Sequence, residues 1–397
     1  MTQSRDQKID TPWLILGLGV SGYSCVKYLS KIAVYFTVVD SRENPPMLEQ
    51  LKTEFPEVTY LTNIDLFSSR INVDRVETLV ISPGISSDNE IANAVIKNGG
   101  RVLGDIELFS TEVNTPIVAI TGSNAKTTVT TLVGEMAREA NIAVGVGGNI
   151  GTPVLDLLEQ GQQELYVLEL SSFQLETTKN LNATVATILN LSDDHMDRYV
   201  DFSAYKKAKQ RIFSGCSAVV VNRQEADLVP VSNRDKKSIS FGLDTPGKQQ
   251  LGLVNEYGER YIAFEDKLLI NTKELLIEGE HNLLNAMAAI ALGMFAEIPM
   301  VKMISCLKKF RGLAHRCEWV ATVNKIRFYN DSKATNVGAC IAALEGLGKN
   351  RSGKILLIAG GDGKGSDFSP LVEPVKNYVS KLFLFGRDAK QMQTQLE

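Results

Sequence analysis

The sequence predicts an α/β protein of more than one domain, built on mainly parallel sheets covered by helices. Three observations carry that expectation. Short apolar runs alternate with longer amphipathic stretches along most of the chain. Glycine turns follow the apolar runs Trp13 to Leu16 and Ile117 to Ile120, and each turn leads into a helical stretch. A chain of 397 residues is also too long for one ordinary core, so two or three domains are expected.

Taken in order, Trp13 to Leu16 reads as the first strand, followed by a glycine turn and a helix from about Ser21 to Ser30. Phe36 to Asp40 is the second strand, and Thr78 to Ser82 the third, closed by a Pro83-Gly84 turn. Asn114-Thr115-Pro116 opens a second unit. Its first strand is Ile117 to Ile120, and Tyr166 to Leu170, Ala186 to Leu189 and Ala218 to Val221 follow. Between Lys236 and Glu280 the texture becomes short and alternating, which predicts an antiparallel excursion. A helix rich in good helix formers then runs from Asn282 to Ala296. Near Arg311-Gly312-Leu313 a third unit begins, with strands at Ile326 to Tyr329, Ile355 to Ile358 and Leu382 to Phe385.

Composition narrows the class. With 44% hydrophobic and 22% charged residues the chain reads as a soluble globular protein. A net charge of −4 leaves no basic footprint, which argues against nucleic acid as a partner. The start, MTQSRDQKIDTP, lacks the apolar stretch of a signal peptide, and no apolar run approaches bilayer length. The expectation is a cytoplasmic protein with no membrane partner. Its 5 cysteines are scattered without a CxxC pair, so reduced structural thiols are expected rather than disulfides or a zinc ribbon.

The chemistry concentrates at strand ends. Gly17-Leu18-Gly19-Val20-Ser21-Gly22 is a GxGxxG turn, where backbone amides approach a phosphate at a helix N-terminus. Asp40, one strand later, stands where a carboxylate accepts ribose hydroxyls. By spacing alone this turn holds a nucleotide diphosphate or is simply a tight turn. The second turn, Thr121-Gly122-Ser123-Asn124-Ala125-Lys126-Thr127-Thr128, is the sharper signal. Its amides and Lys126 suit the β- and γ-phosphates of ATP, and Thr127 suits Mg²⁺. Ala125 stands where such loops carry glycine; if the position needs a positive φ, alanine costs on the order of 1 kcal/mol there.

Further along, Glu169 ends an apolar strand, where a carboxylate can hold Mg²⁺ directly or through water. His195 lies among Asp193, Asp194 and Asp197, a setting that fits a metal or phosphate role or an ordinary surface histidine. Lys209, in Lys206-Lys207-Ala208-Lys209, reads by itself as a solvated lysine. Arg316, Asp331 and Lys333 supply charges that an ATP site would need. Gly360-Gly361-Asp362-Gly363-Lys364 is an anion site or a plain turn.

The ordered motifs GLGVSG, SPGI, GDIELF, TGSNAKTT, GGNIG, LELSSFQLE, DDHMDRY, KAKQRI, GEHNLLNA, HRCE, NDSKATN, GGDGKGSDFSP and FGRD resemble those of the Mur ligases. The likeness runs from about Trp13 to the end of the chain. It implies three domains: a Rossmann-like UDP-binding domain over 1–104, a central P-loop ATPase domain over 105–312, and a Rossmann-like ligase domain over 313–397. ELSSFQLE with DHMDRY further implies ATP-dependent addition of D-glutamate to UDP-N-acetylmuramoyl-L-alanine, through an acyl phosphate, in peptidoglycan precursor synthesis.

Site roles follow from the resemblance residue by residue. Val20, Ser21, Asp40, Ser41, Arg42 and Gly84 match UDP-contacting positions, and Asn149, Ser171 and Ser172 positions near the muramoyl part. Gly122, Asn124, Lys126, Thr127 and Thr128 match the phosphate loop; Asn282, Asn285, Arg316, Asp331 and Lys333 match other nucleotide positions. Glu169 and His195 match two Mg²⁺ sites, with Thr127 as a further metal ligand. Lys209 matches a lysine that is carbamylated and then also holds metal. Thr335 and Lys364 match positions on the D-glutamate side. His195 or modified Lys209 would take the amine proton, with Lys126 as the third catalytic group, and the chain is expected to act as a monomer. Departures are Ala125, Ala314 in place of a proline, Cys317 in place of an aromatic residue, and an ending at Glu397 that reads as short of the family's tail. The short tail is expected to weaken glutamate binding and the third domain most.

Overall fold

A computed structural model describes residues 11–63, 71–349, 353–363 and 365–396. Residues 1–10 of the amino-terminal segment, together with Lys364 and Glu397, lie outside the described residues. The chain forms two compact units. One comprises residues up to Ala119 with Ala143–Ala183 and Arg211–Cys216; the other comprises Ile120–Ile142, Thr184–Gln210 and everything from Ser217 on.

In the first unit, β1 (Trp13–Leu16), β2 (Phe36–Val39), β3 (Thr59–Leu61), β4 (Thr78–Ile81) and β5 (Arg101–Leu103) form a parallel sheet in the order β3-β2-β1-β4-β5. β1, at its centre, is almost wholly apolar, and Leu14 and Leu16 pack with Val39, Leu79, Ile81 and Val95. Such continuous apolar runs are what strands buried on both faces require. The glycine turn after β1 is demanded sterically. Gly17 has φ +98°, and a Cβ on Gly22 would lie 1.9 Å from the Gly17 carbonyl oxygen. The helix Val20–Lys31 can therefore start directly against the strand end.

The chain changes units within β6 (Ile117–Thr121). β7 (Val144–Gly148) and β8 (Leu165–Glu169) return to the first unit and pair in parallel. Three acids organise this unit, Glu107 and Asp105 buried and Asp156 half-buried. Glu107 accepts from the backbone amides of Lys179 and Asn180 at 2.7 and 3.0 Å. Asp156 takes the Ser24 hydroxyl at 2.6 Å and the Lys27 ammonium at 2.8 Å. Asp105 accepts from the Ile106 amide at 2.9 Å, and burial pushes its carboxyl up to about 6.

The second unit orders its strands β14-β13-β12-β11-β10-β9-β6, where β9 is Val185–Ile188, β10 Ala218–Asn222, β11 Lys237–Phe241, β12 Gln250–Glu256, β13 Glu259–Phe264 and β14 Lys267–Asn271. The antiparallel excursion starts later than the sequence suggests. β11 is parallel to β10, and β12 to β11; only β13 and β14 reverse direction. The cause is connection length. The segment between β10 and β11 carries helical turns and is long enough for a crossover, whereas Tyr257-Gly258, with φ +55° and +77°, makes a two-residue hairpin. The helix Glu280–Phe295 buries nearly its whole circumference, including Ala286 to Leu292, so its poor amphipathicity is that of a core helix.

Beyond it, β15 (Glu318–Val323) and β16 (Ile326–Asn330) form an antiparallel hairpin. β17 (Ile355–Gly360) and β18 (Val379–Phe385) pair in parallel. A small core of Leu344, Phe368, Leu371 and Met392 forms on this part of the chain. The five cysteines are free, as expected. No helix among the described residues is long and apolar enough to cross a membrane.

Asp105 gives the first unit a signed pH dependence. Burial pushes its carboxyl up to about 6 in the folded state, from 3.8 in a solvated one. Native and unfolded states therefore differ in protonation between those values, and stability falls as pH rises through that window. Asp105→Asn is expected to gain melting temperature over the parent at pH 7–8, with the gain vanishing near pH 4. A gain of equal size at both pH values would exclude this origin.

Candidate functional site

The phosphate-type loop is built where β6 and β9 end side by side, with the Leu189 amide donating to the Thr121 carbonyl at 2.9 Å. Asn190, the next residue, clamps the loop. Its Oδ1 accepts from the Asn124 amide at 2.7 Å, and its Nδ2 donates to the Asn124 carbonyl at 3.1 Å. Its own carbonyl accepts from the Ser123 amide at 3.0 Å. The Ser123 hydroxyl bonds the Ser192 carbonyl at 2.9 Å, accepts from the Ser192 amide at 3.0 Å and meets the Tyr205 hydroxyl at 3.1 Å. The helix Lys126–Glu139 follows directly, and the residue before it, Ala125, has φ +66° and ψ −5°. The condition raised by the sequence is met: alanine occupies a left-handed position. Lys126 folds its ammonium onto the Gly122 and Ser123 carbonyls at 2.8 and 3.0 Å.

Residues distant in sequence complete the surroundings. Arg316 donates to the Thr127 hydroxyl at 2.9 Å. Asp331 accepts from the Cys317 amide at 2.8 Å, and the Lys333 amide donates to the His315 carbonyl at 3.1 Å. Burial raises the Asp331 carboxyl, although the Cys317 amide and Arg316 oppose the rise. Asn124, Thr128, Asn282, Asn285, Arg316, Asp331 and Lys333 all line one cavity of about 1180 Å³. A cavity of that size, with a helix N-terminus at its wall and basic groups along it, has the chemistry of a nucleotide triphosphate site. Ala125 and Cys317, on its wall, both carry positive φ. Such strain gathers where surrounding contacts over-determine the backbone.

The lysine that reads as solvated is not. Lys209 is 2% exposed, and its ammonium donates to the Gly122 carbonyl at 2.9 Å and the Thr121 hydroxyl at 3.3 Å. It also sits 4.9 Å from the Tyr205 ring centroid. His195 has φ +59°, its amide bonds Asp194 at 3.1 Å, and its Nε2 lies 3.6 Å from the other Asp194 oxygen.

In the first unit, Glu169 ends β8 and is 1% exposed. Its Oε1 accepts from the Asn149 amide nitrogen at 2.8 Å, while Oε2 is buried with no hydrogen-bond partner. A buried carboxylate oxygen left so is costly and fits a cation. Among the described residues no group of three or more His, Cys, Asp and Glu forms a cage. A Mg²⁺ ion that travels with phosphates needs only one or two protein ligands and keeps its waters. Ser171 caps the helix Ser172–Glu176 in a reciprocal box with Gln174, and Ser172 is buried behind it.

Asp40 is given a task the sequence did not foresee. Its oxygens accept from the Leu18 amide at 2.7 Å, the Arg42 amide at 2.9 Å, and Arg42 Nε and Nη2 at 2.9 and 2.6 Å. Four donors fill the acceptor capacity of a carboxylate, so Asp40 fixes the glycine turn, and a ribose would have to displace Arg42. Burial alone would raise its carboxyl; Arg42 and the two amides outweigh it and lower it. Val20, Ser41, Gly84 and Thr335 are exposed on turns and ends, Ser21 is half-buried, and Lys364 lies outside the described residues. Sequence reasoning assigned no role to Asn190, Ser123, Tyr205 or Asn336. Each acts through contacts that no local pattern signals.

Fold and loop together define an α/β nucleotide-phosphate-binding protein, and comparison with known proteins supplies the family. Family models match in chain order: Mur ligase MurD-like, N-terminal domain, over 11–104; Mur ligase middle domain, over 120–293; and Mur ligase, glutamate ligase domain, over 315–397. The UDP-N-acetylmuramoylalanine–D-glutamate ligase of Pseudomonas putida is 50% identical over 96% of this chain and 83% of its own length. That of Marinobacter nauticus is 50% identical over 96% and 84%. The solved pseudomurein peptide ligase type C from Methanothermus fervidus shares the fold at TM-score 0.60 and 18% identity, covering 97% of this chain and 87% of its own. The UDP-N-acetylmuramate-alanine ligase of Thermotoga maritima does so at 0.59 and 17%, covering 97% and 88%. The chain belongs to the Mur ligase family.

Because Ala125 holds φ +66°, Ala125→Gly is expected to relieve strain and stabilise the second unit by about 1 kcal/mol. Thermal or urea unfolding reads this directly; a loss of stability would mean that the surrounding contacts suit alanine.

Proposed function

We propose that this chain joins D-glutamate to UDP-N-acetylmuramoyl-L-alanine at the expense of ATP, forming an amide bond in peptidoglycan precursor synthesis. The observation that carries the reading is the clamped loop Thr121–Thr128 on the wall of the large cavity, in a chain half identical to ligases named for that reaction. The proposal divides the chain near residues 104 and 312. This lies close to the limits of the three family matches.

In this reading the loop amides and Lys126 hold the β- and γ-phosphates of ATP. The lysine reaches them by leaving the carbonyls it now bonds. Asn282 and Asn285 flank the base, and Arg316, Asp331 and Lys333 the remaining nucleotide. Thr127, Glu169 and His195 would hold Mg²⁺ in two sites, and the orphaned Glu169 oxygen supports this assignment. When bound, the metal neutralises phosphate charge as the substrate carboxylate attacks the γ-phosphorus in line and ADP leaves. The D-glutamate amine then attacks the acyl phosphate and phosphate departs, with His195 or carbamylated Lys209 accepting the amine proton. Carbamylation of Lys209 needs a neutral amine to attack CO₂.

Val20, Ser21, Ser41, Arg42 and Gly84 would receive the UDP group, with Asp40 fixing their turn through Leu18 and Arg42. Asn149, Ser171 and Ser172 would contact the muramoyl part, and Thr335 and Lys364 the D-glutamate. All assigned groups come from one chain, so the proposal takes the working form to be a monomer, in the cytoplasm.

Phosphate release from ATP tests the reading. With UDP-N-acetylmuramoyl-L-alanine and D-glutamate together, release is expected; with either alone, only background. Lys126→Ala should lower the rate by a factor on the order of 100 or more, as removal of a principal charge-stabilising donor does. Release independent of D-glutamate would contradict the assignment.

A further inference from the structure

Asn124 and Asn336 stand 212 positions apart in sequence and form a reciprocal amide pair. Asn336 Nδ2 donates to Asn124 Oδ1 at 2.8 Å, and Asn124 Nδ2 donates to Asn336 Oδ1 at 3.2 Å. The same Asn336 oxygen caps the helix Val337–Gly348, accepting from the Ala339 amide at 2.9 Å. The helix start is close to the loop in a second way. A Cβ on Gly338 would lie 3.2 Å from the Ser192 hydroxyl and 3.4 Å from Asn124 Nδ2. One side of Asn124 is thus clamped by Asn190 through its backbone, and the other by Asn336 through its side chain. The residue that follows Asn124 is Ala125, in the left-handed conformation alanine disfavours.

We propose that Asn336 is a positioning residue. Its amide holds Asn124, and with it the strained Ala125 turn, in the shape that receives nucleotide phosphates. This rests on the ATP assignment above and adds to it a reason why alanine is tolerated in the loop. A glycine at 125 adopts the turn unaided. An alanine relaxes out of it unless both flanks of Asn124 are held. The brace and the strain therefore act on one equilibrium, and the effects of removing each must be non-additive.

Asn336→Ser separates the brace from the cap, because serine caps a helix about as well as asparagine but is too short to pair with Asn124. Titrated calorimetrically with ATP and Mg²⁺, this variant is expected to bind about fivefold more weakly than the parent, the factor one net hydrogen bond carries. The KM for ATP should rise in step. The KM for UDP-N-acetylmuramoyl-L-alanine and the melting temperature should stay put, which a purely structural role would not produce. In an Ala125→Gly background the loss should shrink below about twofold. Gly338→Ala, whose Cβ would press on the Ser192 hydroxyl and on Asn124 Nδ2, should weaken ATP binding in the same direction. Unchanged ATP affinity in Asn336→Ser, or the same loss with glycine and alanine at 125, would overturn the inference while leaving the ATP assignment intact. A parent chain that binds no ATP would overturn both.

Discussion

The clamp that Asn190 places on Asn124 is the contact on which the rest of the second unit's site depends. A loop that must present its amides to phosphates cannot bond them to itself, so its shape has to be fixed from outside. Here one side chain holds both backbone groups of Asn124, and Ser123 ties the same stretch to Ser192 and Tyr205. The clamp exists because β6 and β9 are neighbours in the sheet, which brings the residues after their ends together. Sheet order thus becomes site geometry.

Buried charge is the second theme. Asp40, Asp105, Glu169 and Lys209 are each within 2% of full burial, and each must be compensated or be costly. Asp40 is saturated with donors and serves as a structural anchor for the first glycine turn. Glu169 keeps one oxygen without a partner, and Asp105 is left with a raised carboxyl. Groups of the first kind shape a site, whereas those with unspent capacity are candidates to meet a ligand or a proton.

Much of the fold was legible because parallel strands are short apolar runs that end in glycine, asparagine or aspartate. The strands read at Trp13, Phe36, Thr78, Ile117 and Ile355 begin where expected. The strands β3, β5, β7 and β15 were not read at all, being short, glycine-rich or exposed, and in β11 direction was misjudged: it alternates like an antiparallel strand yet runs parallel to β10. In the site, the left-handed position at Ala125 followed from glycine's usual place in such loops. Asp40 reads in the sequence as a ribose acceptor, whereas its carboxylate holds Leu18 and Arg42. By itself Lys209 reads as solvated, since a run of lysines on a helix says nothing of which one points inward, and only the fold shows it buried. Asn190 and Asn336 bond Asn124 across 66 and 212 positions. Asparagine in such a role leaves no periodic trace, and only the fold reveals it.

The two glycine turns are chemically alike yet divide the work proposed for them: phosphates of ATP at the second, the UDP group at the first. Amide hydrogen exchange with and without ATP and Mg²⁺ measures that division residue by residue. ATP is expected to slow exchange across Gly122–Thr128 while leaving Gly17–Gly22 as it was, and the UDP substrate to do the reverse. Protection by ATP at Gly17–Gly22 with none at Gly122–Thr128 would contradict it.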